Sequence, residues 1–286
     1  MGETGRPALR RRPLLVDGGS YLVVGLFVLV ALFPFYWMLR TAFTPRAAAF
    51  SLHPRLWPEA LTFDSFVRAV TSPTLPFLLY FRNSLIVSLS TALLVVLAGS
   101  GGAYALARMH FRGRNLFGIS LLIVQMFPPV VLVIPLFVVI AKLRLVDTHF
   151  GLVLALVTFN LPFVTWLLRG YFLGLPREIE DAARIDGCGR FGVLFRIALP
   201  LSAPGVAAAA TLAMVNSWND FLFAFVLIND DTKRVLATGV AAYAQSNNDY
   251  TTLFAMATLT TVPIVVLFML FQRYLVGGLA AGSVKS

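Results

Sequence analysis

The sequence predicts an all-α integral membrane protein, built as a bundle of six transmembrane helices. Three observations carry this reading. Apolar residues make up 58% of the 286 residues and charged residues only 13%. Mean hydropathy is +0.82. Apolar runs recur at the length needed to cross a bilayer. Soluble domains carry about 25% charged residues, and a spanning helix needs roughly 20 mostly apolar residues. Six segments qualify: 20–42, 80–106, 116–141, 150–173, 205–228 and 253–276. Lipid offers no partner for open backbone groups, so each is expected to be helical.

The first run, 21–38, follows Arg10, Arg11 and Arg12, as a signal peptide would. It exceeds the usual apolar core of such a peptide, which is about 7–15 residues, and reads as an uncleaved span. The weakly cleavage-like Ala47-Ala48-Ala49 lies well beyond it. In the second run Gly99, Ser100, Gly101 and Gly102 permit close helix approach. Pro34, Pro128, Pro129, Pro135, Pro162 and Pro263 fall inside spans and are expected to kink them rather than end them, because neighbouring helices re-satisfy freed carbonyls.

Lys and Arg set the orientation. The N-terminus, the loop with Arg108, Arg112 and Arg114, and the stretch with Arg177, Arg184, Arg190 and Arg196 form the richer side. Both termini are therefore expected in the cytoplasm. The organisation expected is a cytoplasmic tail at 1–19, a permease domain at 20–276 and a cytoplasmic tail at 277–286. The net charge of +10 sits between apolar runs and forms no continuous patch, so membrane topology accounts for it and nucleic acid is not implied. The lone Cys188 cannot form an internal disulfide, and His53, His110 and His149 are scattered without metal-ligand spacing.

The longest outer loop, 43–79, contains Phe63, Phe66, Val67 and Val70 at helical spacing behind Thr62, a possible cap. This reads as a short amphipathic helix that rests on the bundle or docks an outside partner.

Residues 174–204 form a polar cassette in an otherwise apolar chain. Pro176 suits the first turn of a helix. Glu178, Glu180 and Asp181 suit the positive end of its dipole. Gly187 and Gly189 are expected to stop it after about three turns. A second helix should follow, with Phe191, Leu194, Phe195 and Ala198 on one face. Ala182 and Ala183 keep the first helix thin, and Asp181 and Arg184 offer charges for orientation. No nucleophile–base pair or metal-ligand set occurs here, so the cassette reads as mechanical.

From Asp181 the spacing is Asp-Ala-Ala, three residues, Gly187, nine residues, Ile197, one residue, Leu199-Pro200. This resembles the cytoplasmic signature of ATP-binding-cassette importer permeases, Glu-Ala-Ala-x3-Gly-x9-Ile-x-Leu-Pro, with Asp181 where the pattern has Glu. Asn83-Ser84, Trp218-Asn219-Asp220-Phe221 and the tail from Gln272 to Lys285 are similar to the carbohydrate importers, most of all to the second permease subunit of maltose- and trehalose-type systems. The resemblance implies a type I importer permease bundle with a cytoplasmic coupling helix, in a bacterial or archaeal cell membrane. It implies a second, different permease chain, a dimer of cytoplasmic ATPases and an extracellular sugar-binding protein as partners, besides membrane lipid. The cargo implied is a di- or oligosaccharide. The coupling residues implied are Glu180, Asp181, Ala182, Ala183, Asp186 and Gly187. The chain lacks the Gly-x4-Gly-Lys-Ser/Thr phosphate loop, so no cofactor of its own and no enzymatic activity are expected, with ATP and magnesium on the partner ATPase.

Within the spans, Asp220 is the single ionisable residue placed deep by these boundaries, and such residues face bundle interiors or pathways. Asn216, Ser217 and Asn219 lie beside it, and Gln125 and Asn160 are further candidates for a polar pathway or gate. Their alternative role is hydrogen bonding between helices. Trp166, Trp218 and Phe221 offer aromatic faces. A gradient-driven secondary transporter would call for several intramembrane acids or an internal repeat, and a membrane enzyme for clustered His, Asp and Glu at one membrane face. Neither pattern is present.

Overall fold

A computed structural model describes residues 14–49, 55–72 and 75–283. The N-terminal arginines and the last three residues lie outside the described residues. The chain forms α1 (Leu14–Ala42), α2 (Arg46–Ala49), α3 (Asp64–Thr71), α4 (Phe77–Arg108), α5 (Arg114–Met126), α6 (Pro129–Lys142) and α7 (His149–Gly174). Next come α8 (Arg177–Ile185), α9 (Arg190–Val193), a π-turn over Leu194–Ala198, α10 (Leu199–Leu201), α11 (Ala203–Trp218) and α12 (Leu222–Leu227). A 3-10 turn at Asp231–Lys233 leads to α13 (Leu236–Ser246) and α14 (Tyr250–Ser283). No strand occurs among the described residues.

Among the described residues four helices are individually long and apolar enough to cross a membrane: α1, α4, α7 and α14. The count reaches six when each of two bent pairs is taken as one span. The core is built on α4 and α7, with α11 laid across both. Val95, Ala103, Val164, Leu168, Ala209 and Ala213 fill the seam. Gly99 allows the close approach that the sequence predicts, since a Cβ there would lie 3.2 Å from Val164 Cγ1. By contrast α1 stands against α14 with most of its outer turns exposed.

Two expected spans are not continuous. The run 116–141 breaks at Phe127 and Pro128, and α5 meets α6 at 107°. Consecutive prolines explain it. Pro128 and Pro129 both lack an N–H, and each biases the preceding residue towards extended backbone, as at Phe127 (φ −75°, ψ 131°) and Pro128 (φ −60°, ψ 140°). The single prolines Pro34, Pro135, Pro162 and Pro263 remain inside unbroken helices. The run 205–228 is interrupted after Trp218, because the Asp220 carboxylate accepts the Ala224 N–H at 3.0 Å and starts α12 as a separate helix.

The outer-loop helix is present as α3, with the Thr62 hydroxyl accepting the Asp64 N–H at 3.1 Å. Its buried residues are Ser65 and Ala69, while Phe63 and Val67 are exposed. The small face packs on α14 and α4; of the predicted apolar stripe, Phe66 packs against the core and Phe43, while Phe63, Val67 and Val70 stay exposed.

Candidate coupling site and polar cluster

The cassette is fastened to the bundle by its first helix. Glu180 is 3% exposed. Arg108 Nε donates to its Oε1 at 2.7 Å, and Tyr104 Oη donates to its Oε2 at 2.9 Å. Arg108 Nη2 also donates to the Leu175 carbonyl at 2.7 Å. One guanidinium thus ties the end of α4 to α8 and to the chain entering it. A buried carboxylate is tolerated when it is paired and its lone pairs are filled. Ala183, on the same side, packs into the core with Tyr104 and Phe172. Asp181, Ala182 and Asp186 face outward, and Ile185 is 87% exposed. Among the described residues Asp181 pairs only with its neighbour Arg184, at 3.2 Å across an exposed surface.

The turn after α8 is a Schellman cap. Cys188 N donates to the Ala183 carbonyl at 2.9 Å and Gly187 N to the Arg184 carbonyl at 3.0 Å. Gly187 has φ +87°, a left-handed conformation that costs other L-residues. Gly189 has φ −67° and takes no part in stopping the helix. The second helix departs from the expected face. Val193, Leu194 and Ala198 are buried, while Phe191 and Phe195 are 78% and 49% exposed. The buried face is rotated by about one residue and is already set at Val193, before a π-turn in which Leu199 N reaches back five residues to the Leu194 carbonyl. That wide turn shifts the register relative to ordinary helical spacing. Residues Arg190–Leu201 then meet α11 at 84°.

The polar candidates in the spans divide by geometry. Asn160, buried on α7, accepts from Asn216 Nδ2 on α11 at 3.2 Å and donates to its own Leu156 carbonyl at 2.8 Å. Asp220 caps α12. Asn219 ends α11 with an exposed side chain. Gln125 is exposed in the last turn of α5. Of the three aromatic candidates, Trp218 is buried and donates to the Thr260 carbonyl at 3.2 Å. Trp166 lies under Arg169 near the cassette. Phe221 is exposed and stacks on Phe225, with centroids 5.3 Å apart. These two rings floor a groove of about 330 Å³ between α12 and α13, edged by Asn229, Arg234, Thr238 and Gln245.

At the end opposite the cassette, Asn83 Nδ2 donates to the carbonyls of Thr232 and Arg234 at 3.0 and 2.9 Å, and Ser84 Oγ accepts the Leu236 N–H at 2.8 Å. A second clasp gathers on Asp249. Its carboxylate accepts from the hydroxyls of Thr251 and Thr252, at 2.8 and 2.9 Å, and faces Arg68 at 3.5 Å and Arg46 at 3.9 Å. Burial pushes this carboxyl upward, but the threonine hydrogen bonds and the Arg46 charge outweigh it and hold it below the usual carboxylate range. No group of three His, Cys, Asp or Glu side chains suited to a metal ion occurs among the described residues.

Residues 96–280 match the family of binding-protein-dependent transport system inner membrane components. The chain belongs to that family. The matched segment of this inner membrane component begins in α4 and takes in the whole cassette. Among its relatives is the Escherichia coli (strain K12) inner membrane ABC transporter permease protein YcjP, 37% identical over 93% of this chain and 96% of the relative. Another is the trehalose/maltose transport system permease protein MalG of Thermococcus litoralis, 36% identical over 98% of this chain and 99% of the relative. In fold, this inner membrane component is similar to a chain of a bacterial ABC transporter for the acidic polysaccharide alginate. The TM-score is 0.80 at 23% identity, covering 94% of this chain and 99% of that one. The all-α bundle is thus that of an ABC importer permease.

Several residues that organise the site carry no local sequence signal. Tyr104 and Arg108 sit far along the chain from Glu180, and a loop arginine beside a span reads as topology. Asp249 reads as an ordinary loop acid.

Proposed function

We propose that this chain is one of two permease subunits of a binding-protein-dependent ABC importer for a di- or oligosaccharide, with the cassette and both termini in the cytoplasm. The observation that carries the proposal is α8. It is a thin helix fastened through Glu180 and Ala183, and it leaves Asp181, Ala182 and Asp186 and the Gly187 turn free for a partner. A dimer of cytoplasmic ATPases, which binds ATP and magnesium, receives that surface. Its closure displaces α8. Arg108 passes the movement to α4, and the 84° joint passes it to α11. The bundle then alternates between inward- and outward-facing states. A relative named for trehalose and maltose supports a saccharide as cargo. A solved transporter of similar fold, in complex with a pentasaccharide-bound periplasmic protein, supports a binding protein that delivers it.

On this reading Asn160, Asn216, Asn219, Asp220 and Gln125 border the polar route. The Phe221–Phe225 groove offers a ring face to passing sugar, with planar polar side chains at its edge. Pockets of this type hold a ligand through apolar walls and a few placed polar groups.

The test is ATP hydrolysis by the purified complex, reconstituted with its binding protein and challenged with a panel of saccharides. Stimulation by one saccharide class is expected. Purification without any ATPase would overturn the assembly, and a response only to non-saccharide solutes would overturn the cargo.

A further inference from the structure

Near the cassette, a cavity of about 220 Å³ opens between α5 and α7. Its polar lining is Arg114, Asn115 and Arg169, and its apolar lining includes Leu106, Gly118 and Trp166. The Arg169 guanidinium lies over the Trp166 ring, 4.8 Å from its centroid. Arg114 Nε donates to the Leu106 carbonyl at 2.9 Å, which fixes the guanidinium and leaves its outer edge free. Among the described residues neither arginine has a carboxylate within ion-pair distance. The first turn of α5 shares this end of the cavity. It has no acidic residue and no side-chain cap, because Gly113 precedes it in a left-handed conformation. Such a helix start favours negative charge, and here none of the described residues supplies it. Two oriented guanidiniums, a helix start and a cavity thus make an anion site to which the described residues bring no anion.

We infer that this cavity binds the phosphate of an anionic phospholipid headgroup at the membrane surface beside the cassette. The chemistry shared with free phosphate is recognition of a planar or tetrahedral oxyanion by arginine forks. What selects lipid is the flank. Ile119 lines the cavity and Leu116 and Phe117 of α5 are exposed next to it, so an occupant meets charge at one end and an apolar helix face at the other. Trp166 marks the same boundary, where tryptophans concentrate in membrane proteins. Basic pockets between helices at this level suit anionic headgroups. The site also reaches the coupling machinery: Arg114 grips the carbonyl of Leu106, two residues before Arg108, the residue that fastens α8.

The inference goes beyond the proposed transport function and does not depend on the cargo. The experiment uses the intact purified complex in nanodiscs of phosphatidylcholine, with and without phosphatidylglycerol. It reads lipid retained on the protein by native mass spectrometry and the thermal midpoint. Wild type is expected to keep phosphatidylglycerol preferentially and to melt higher in its presence. The double variant Arg114→Gln/Arg169→Gln should lose both effects. The charge-matched variant Arg112→Gln/Lys142→Gln, outside the cavity, should keep them. Should the double variant fail to assemble, Arg169→Lys supplies the test. It keeps the charge, loses the planar stack on Trp166, and should retain less phosphatidylglycerol. Equal retention by wild type and either cavity variant would overturn the inference. An equal rise in melting with inorganic phosphate in pure phosphatidylcholine would overturn the lipid as occupant. So would loss of ATPase co-purification in the double variant with lipid retention unchanged, which would mark a partner's carboxylate as the anion.

Discussion

Arg108, in the last turn of α4, and Glu180, in the first half of α8, form an ion pair at 2.7 Å in which both side chains are about 95% buried. Removing one member leaves the other charged and unpaired, which typically costs about 3–5 kcal/mol. Glu180→Ala is therefore expected to lower the thermal midpoint of the complex and to uncouple ATP hydrolysis from cargo. The double variant Arg108→Leu/Glu180→Leu should recover much of the stability, because it removes both charges. Calorimetry of the three proteins checks the order, and a double variant less stable than Glu180→Ala would contradict it.

Gly187 is constrained by backbone and not by space, since a Cβ there meets no atom within 4 Å. Gly187→Val should cost about 1–2 kcal/mol at this left-handed position and cut cargo-stimulated hydrolysis. Asn tolerates the conformation, so Gly187→Asn should stay near wild type. Equal loss in both variants would place the constraint in a partner contact.

Asp181 is 63% exposed at the side chain, and its bond to Arg184 is a surface pair. Such pairs contribute about 0–1 kcal/mol. Asp181→Ala should thus leave melting almost unchanged while reducing coupled hydrolysis. Asp181→Glu should keep coupling if charge sets the contact. A changed coupling ratio in Asp181→Glu would show that side-chain length sets it.

The stacked Phe221–Phe225 pair makes a prediction about cargo. Phe225→Ala should raise the saccharide concentration needed for half-maximal uptake several-fold, with basal hydrolysis unchanged. Phe225→Trp should preserve uptake. An unchanged saccharide dependence in Phe225→Ala would remove the groove from the route.

The Asp249 clasp gives a pH dependence. Its carboxyl titrates below the ordinary range, so the folded state favours the ionised form. The stabilisation is complete above the unfolded pKa of about 4, and it is lost as pH falls through the lower folded value. Acid unfolding monitored near α3 should show this, and Asp249→Asn should flatten the profile. An unaltered profile in that variant would assign the acid response elsewhere.

Much of this was legible from local pattern. Spans appear as apolar length, and Gly187 as a helix stop. The signature from Asp181 to Pro200 needs only spacing. What stayed hidden depends on tertiary contacts or on small backbone shifts. The inward turn of Glu180 requires Arg108 and Tyr104, more than 70 residues away in sequence. Phe191 and Phe195 are exposed because Val193, Leu194 and Ala198 take the inner face, a choice between two apolar faces that periodicity alone leaves open. Sequence offers Trp218 as a ring for cargo, whereas packing against Phe81 and the Thr260 carbonyl encloses it. The Asn83-Ser84 pair stood out as a motif, and only the fold shows that it pins the segment after α12.

The vertex between α5 and α6 has a consequence for solvent. Helix α5 has 13 residues and so rises about 20 Å, within a hydrocarbon layer of about 30 Å. Phe127 N serves the Val124 carbonyl at 3.2 Å, but Pro129, four residues after Gln125, has no N–H for the Gln125 carbonyl. Acyl chains cannot satisfy such an oxygen. The surface carrying Gln125 and the bend must therefore be hydrated or sealed by another polypeptide, and wetting of this corner would change whenever neighbouring helices close over it.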